Sequence, residues 1–138
     1  MASKFNLSEY AVNFLASQGP AIMLLDQIQL DVYDGAQPAT ADDPLGINAA
    51  LLATFYFPPM LMNRIEYHGT ISFGPIADTT WKASGRVRFG RAVKGGIVIF
   101  DCSAGSTNEN TDIIVNVNPV TEGAVAHIVA SPTYTVAK

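Results

Sequence analysis

The sequence is poor in charge. Asp, Glu, Lys and Arg make up 14% of its 138 residues, against about 25% in an average soluble domain. So sparsely charged a surface is expected to be covered in part, by another copy or by another protein. Cysteine occurs once, at Cys102, which excludes an internal disulfide and fits synthesis in a reducing cytosol. The net charge is −4, and the absence of any basic run argues against a nucleic-acid footprint. The longest uncharged stretch of note, 47–63, is interrupted by Pro58 and Pro59, so it falls short of the about 20 apolar residues of a membrane helix. No apolar core follows Lys4, so no signal peptide is expected. Strand–helix alternation is missing too, which argues against a nucleotide-binding α/β fold.

Catalytic patterns are equally scarce. No GxSxG elbow exposes a serine, and the Gly-rich FGRAVKGG is not a phosphate-binding loop and opens no helix. The two histidines, His68 beside Tyr67 and His127 within AVAHIVA, lack a visible nucleophile and orienting partner. Cys102 has no neighbouring histidine and reads as an inert thiol near a strand end. Asp42 and Asp43 are adjacent, so in an extended chain they point apart and make a poor acid/base pair. With Asp34 they offer carboxylates to a calcium ion, but without a DxDxDG spacing. Turn chemistry, in which short carboxylates accept nearby backbone N–H bonds, is the simpler reading. The residues predict no enzyme, no cofactor and no metal.

What is present is mostly β pattern. One helix is expected at the start, where Leu7, Tyr10, Ala11, Phe14 and Leu15 form a stripe, with Asn6 as cap, Glu9 completing a capping box, and Gly19-Pro20 as the stop. In QIQLDVYDG, Ile28, Leu30 and Val32 alternate with polar residues. LLATFYF is apolar on both faces and reads as a central strand, and a short strand is expected around 70–73. TWKASGRVRFG places Trp81, Ala83, Val87 and Phe89 on one face and Lys82, Arg86 and Arg88 on the other. Gly95-Gly96 signals a two-residue hairpin turn into the strand 97–102. DIIVNVN, a Pro/Gly turn and AVAHIVA repeat the logic, and SPTYTV supplies a last short strand. Seven or eight short strands with frequent turns predict a mainly β protein. The expected fold is an antiparallel jelly-roll or Greek-key sandwich of one domain, 1–138, with residues 1–20 as an N-terminal helical arm.

The order of pieces resembles a group of small virion proteins of tailed bacteriophages. The resemblance runs from about Asp26 to Val136. It is carried by the loop that begins Tyr33-Asp34-Gly35-Ala36-Gln37-Pro38-Ala39-Thr40, the strand Leu51-Leu52-Ala53, the hairpin ending Cys102-Ser103-Ala104-Gly105, and the turn between Val120 and Val125. The segment PPMLMNRIEYHG departs from the group, whose members have a Gly/Ala-rich stretch there. The resemblance implies a non-enzymatic virion protein, similar to the jelly-roll cement (decoration) proteins that clamp the major capsid protein of short-tailed phages. On that reading it is made in the host cytoplasm and sits on the capsid surface. It would bind the major capsid protein and itself, as a dimer rather than a trimer, and neither nucleic acid nor membrane. Expected contact residues are Tyr10 and Phe14 on the helix, Gln37, Pro38 and Pro44 in the loop, Met60, Leu61 and Met62, and Arg86 and Arg88 as a charged rim. The alternative is a tail-associated, receptor- or glycan-binding sandwich module, with Trp81 and Tyr67 as stacking candidates.

Overall fold

A computed structural model describes residues 6–17, 27–57, 64–66, 70–72, 76–130 and 134–135. Within these the protein is mainly β, as the sequence predicts, with one α-helix. The main sheet is built from β1 (Asn6–Leu7), β2 (Gln29–Asp34), β3 (Ala50–Tyr56), β7 (Phe89–Lys94), β8 (Ile97–Gly105), β9 (Ile113–Val115) and β11 (Ile128–Ala130). Its order is β11-β9-β8-β7-β2-β3, with β1 also pairing β8. Two smaller sheets pair β6 (Thr79–Thr80) with β10 (Val125–Ala126), and β4 (Arg64–Glu66) and β12 (Tyr134–Thr135) with β5 (Thr70–Ser72). The strand order is compatible with a sandwich or jelly-roll, with one correction. The main sheet is mixed rather than wholly antiparallel, because β8 and β9 run parallel through Ala104↔Ile113.

Local chemistry explains the pairing. Gly95 and Gly96 both have positive φ, +59° and +81°, which only glycine adopts without strain, and they close the β7–β8 hairpin with the twist the strands need. Alternation in β2 sends Leu30 and Val32 into the core, where they are fully buried with Phe55, Phe100 and Cys102. LLATFYF proves to be the end strand of the main sheet and not a central one. Its central residues are nonetheless buried, since the backbone N–H of Lys82 bonds Leu52 O at 2.7 Å and Trp81 packs edge-on against Phe55. Leu51 and Tyr56 stay exposed. TWKASGRVRFG is a strand only in pieces, because residues 81–88 are irregular apart from a bridge between Gly85 and Val120. Its predicted alternation survives as burial. Trp81, Val87 and Phe89 are buried, while Lys82, Arg86 and Arg88 are exposed.

The second face of the sheet is polar in the middle. Thr54, Asp31, Arg91, Asp101 and Asn6 lie opposite one another across β3, β2, β7, β8 and β1. Thr54 Oγ1 donates to Asp31 Oδ1 at 2.9 Å. Arg91 grips Asp101 with two parallel bonds, Nε to Oδ1 at 2.7 Å and Nη2 to Oδ2 at 2.9 Å. Both side chains of that pair are buried.

The helix α1 (Glu9–Ser17) docks through Ala11, which is fully buried, with Phe14 and Leu15 packed against the core. Its cap is not Asn6, which instead belongs to β1 and pairs with Asp101. Ser8 takes the role, its Oγ accepting the Ala11 N–H at 3.1 Å. Asp42 supplies a second cap from far along the chain, with both carboxylate oxygens 3.0 Å from the Glu9 N–H. A carboxylate there also suits the positive end of the helix. Gly19 and Pro20, Pro58 and Pro59, Met60 to Met62, Tyr67 and His68 lie outside the described residues.

Candidate functional site

The long connection between β2 and β3 divides into two parts with opposite properties. Residues 36–43 are fastened down. Ala41 is buried, Asp42 caps α1, and the Asp43 carbonyl accepts Arg91 Nη2 at 2.9 Å. The Asp43 side chain accepts the Thr40 N–H at 3.1 Å, and Asn6 Nδ2 reaches Ala39 O. Residues 44–48, by contrast, are all exposed. Ile47 is 99% exposed, and Leu45 and Leu51 beside it are each more than a third exposed. A turn closed by the Ala49 N–H on Gly46 O shapes this tip. The fastened half therefore forms the base from which an apolar tip extends into water.

The three aspartates considered for calcium are all committed elsewhere. Asp34 accepts the Gly35 N–H at 2.7 Å and the Arg86 N–H at 3.2 Å, Asp42 caps the helix, and Asp43 closes its own turn. Among the described residues no cluster of metal-binding side chains occurs.

The expected contact residues fall into two groups. Tyr10, Pro44, Asp42 and Arg91 line one hollow with Ile97, so the helix and the loop do meet. Phe14 turns inward and is half-buried against the core. Gln37, Arg86 and Arg88 line a separate cleft of about 480 Å³, along with Gly35, Glu109 and Thr111. Pro38 is half-buried beside it in sequence. Met60, Leu61 and Met62 lie outside the described residues. The cleft adjoins the tip, since a Cβ on Gly35 would stand 3.0 Å from Asn48 O.

Two fixed carboxylates act on the cleft's arginines, Glu109 in its lining and Asp34 behind Arg88. Burial raises the pKa of Asp34, but the backbone N–H groups of Arg86 and Gly35 and the charge of Arg88 outweigh it and hold the group below its ordinary value. Glu109 behaves alike. Burial raises it, while bonds from Ser106 and Asn118 and the charge of Arg86 lower it further. Glu109 sits in a 3-10 turn, Thr107–Glu109, where its Oε2 accepts the Ser106 N–H at 2.6 Å and Asn118 Nδ2 at 2.8 Å. Cys102 is fully enclosed, and burial pushes its thiol pKa well up, which suppresses the reactive thiolate. His127 Nδ1 lies 2.6 Å from Asp78 Oδ1 on an exposed edge, across the β6–β10 pair.

Leu45, Ile47 and Leu51 are not among the contact residues expected from sequence, since their exposure follows from how the loop before them is tied. Arg91, which the sequence does not set apart from Arg86, Arg88 and Lys94, is buried. The strict alternation of FGRAVK could have warned that Arg91 shares a face with buried Phe89. Comparison of the chain with protein-family models, with curated proteins and with solved structures finds no match.

Proposed function

We propose that this is a virion structural protein, a capsid cement that binds the outer surface of a major capsid protein and stabilises the shell by many non-covalent contacts. The observation that supports the reading is the exposed apolar pair Leu45 and Ile47 on the loop tip, with exposed Leu51 following in β3. An isoleucine held almost wholly in water gains about 1.5–3 kcal/mol when a partner buries it. Because residues 36–43 are already fixed, little further ordering is lost on docking. Each copy then contributes a modest contact, and repetition over a shell makes the sum strong. Self-association as a dimer lets one unit bridge two capsid subunits.

The glycan-binding alternative has lost its leading residue. Trp81 is 1% exposed and packs edge-on against Phe55 at 6.4 Å between centroids, so its face is closed to a sugar ring.

The deciding experiment is co-sedimentation of the purified protein with empty, cement-free shells assembled from the major capsid protein of the same genome. Saturable binding that raises the shell's melting temperature is expected, together with loss of binding in Ile47→Asp. Absence of saturable binding sinks the proposal.

A further inference from the structure

The cleft beside the tip carries a separate ligand chemistry. We infer that it is a binding site for an acidic polypeptide segment, whose carboxylates are taken by Arg86 and Arg88.

The argument starts from how these two arginines are held. Arg86 Nη2 lies 3.4 Å from Glu109 Oε1, and Arg88 Nε lies 3.4 Å from Asp34 Oδ1. Both contacts are long and single, whereas a strong arginine–carboxylate pair is short and two-pronged, as between Arg91 and Asp101. The carboxylates themselves are taken by closer partners. Asp34 is held by two backbone N–H groups, and Glu109 by Ser106 and Asn118. Their seats are built by missing side chains. A Cβ on Gly85 would stand 2.8 Å from Asp34 Oδ2, and one on Gly105 would stand 2.8 Å from Glu109 Oε2. Asp34 and Glu109 are thus fixed struts that aim the guanidinium groups without satisfying them.

The guanidinium groups remain open to solvent, with 51% and 55% of each side chain exposed. Each has five N–H donors in a planar fork that matches a carboxylate. Between them lies a cleft of about 480 Å³, whose other lining residues include small ones, Gly35, Ala36 and Ala104. That space accepts a side chain without moving the backbone. The struts also set the charge of the ligand. A phosphate dianion or a polyphosphate chain would meet Glu109 in the cleft wall and the charge of Asp34 behind Arg88, and the whole protein is acidic, at −4. A carboxylate, with one negative charge where a phosphate dianion has two, meets less of that repulsion. The inference does not require the partner to be a capsid.

The test uses the full chain and a fluorescein-labelled hexaglutamate peptide, read by anisotropy at low salt. Saturable binding is expected, weakened roughly ten-fold or more in Arg86→Gln/Arg88→Gln, since charge-assisted bonds are lost. A charge-matched control, Lys82→Gln/Lys94→Gln, is expected to stay within about two-fold of wild type, because long-range charge is screened. Should the arginine variant fail to fold, arginine side-chain NMR on the wild type gives the answer. Arg86 and Arg88 resonances are expected to move with peptide while buried Arg91 stays put. Three results overturn the inference: no saturable binding, equal weakening in both variants, or tighter binding of inorganic phosphate or a thymidine hexanucleotide than of hexaglutamate.

Discussion

Replacing Asp101 by Asn tests how the tip is held. The change keeps shape and removes one charge from a pair whose side chains are only 7% and 0% exposed. Arg91 stays ionised. A guanidinium keeps its proton in a protein even when its counter-charge is removed. The variant therefore leaves a guanidinium buried without its counter-charge, which costs about 3–5 kcal/mol. Against a total stability of about 5–15 kcal/mol, that is a large share. At roughly 3–5 °C for each kcal/mol in a domain of this size, the melting temperature is expected to drop by about 10–20 °C. The partner experiment removes both charges, as Arg91→Met/Asp101→Leu. Replacing a whole buried pair by apolar residues is often neutral or stabilising, within about 1–4 kcal/mol. Yet this variant also deprives the Asp43 carbonyl of its donor. It is expected to melt near wild type while the amides of residues 40–43 exchange faster and shell binding weakens. Urea unfolding followed by circular dichroism, with hydrogen exchange alongside, reads both effects. A single variant, Asp101→Asn, that stays within about 1 kcal/mol of wild type would refute the reasoning.

Other outcomes follow from the same geometry. Asp42→Ala removes a distant helix cap and is expected to cost about 1 kcal/mol in urea unfolding, with faster exchange at the Glu9 amide. Ile47→Asp changes an exposed position and is expected to shift stability by no more than about 0.5 kcal/mol while abolishing shell binding in the sedimentation assay. Asp34 and Glu109 have folded-state pKa values below their ordinary 3.8 and 4.5, so their contribution is complete above those values and is lost as pH falls through the lower folded ones. The urea midpoint is expected to decline below about pH 4.5, and less steeply in Asp34→Asn/Glu109→Gln. Cys102, enclosed and with its pKa raised, is expected to react with Ellman's reagent only at the rate of unfolding. A fast reaction in native buffer would show the site to be open.

The sequence revealed what is decided within a few residues. The Gly95-Gly96 turn, the alternation of β2, and the inward set of Trp81, Val87 and Phe89 could all be read from spacing. What it concealed is decided at a distance. Asn6 looked like the cap because Glu9 follows at capping-box spacing, but pairing with Asp101 draws Asn6 into a strand and hands the role to Ser8 and Asp42. Nothing local in the sequence marks a partner for Arg91, and only the register of β7 with β8 sets it opposite Asp101. The β3 segment looked central because it is apolar on both faces. Its cover comes from Trp81 and Lys82, which contribute no regular strand there. At the candidate surfaces, Tyr10, Pro44, Gln37, Arg86 and Arg88 were named from sequence and do line hollows. The exposed tip was not, since the degree of exposure of Ile47 follows from how the preceding residues are tied.

The cap that Asp42 places on α1 also bears on the order in which the chain can be assembled as it leaves the ribosome. A helix of nine residues is too short to persist in water by itself. Its first turn awaits a carboxylate 33 positions away, and the β1 strand just before it awaits Phe100 and Asp101. Both elements therefore stay unsecured in the nascent chain until β8, far along the sequence, has emerged.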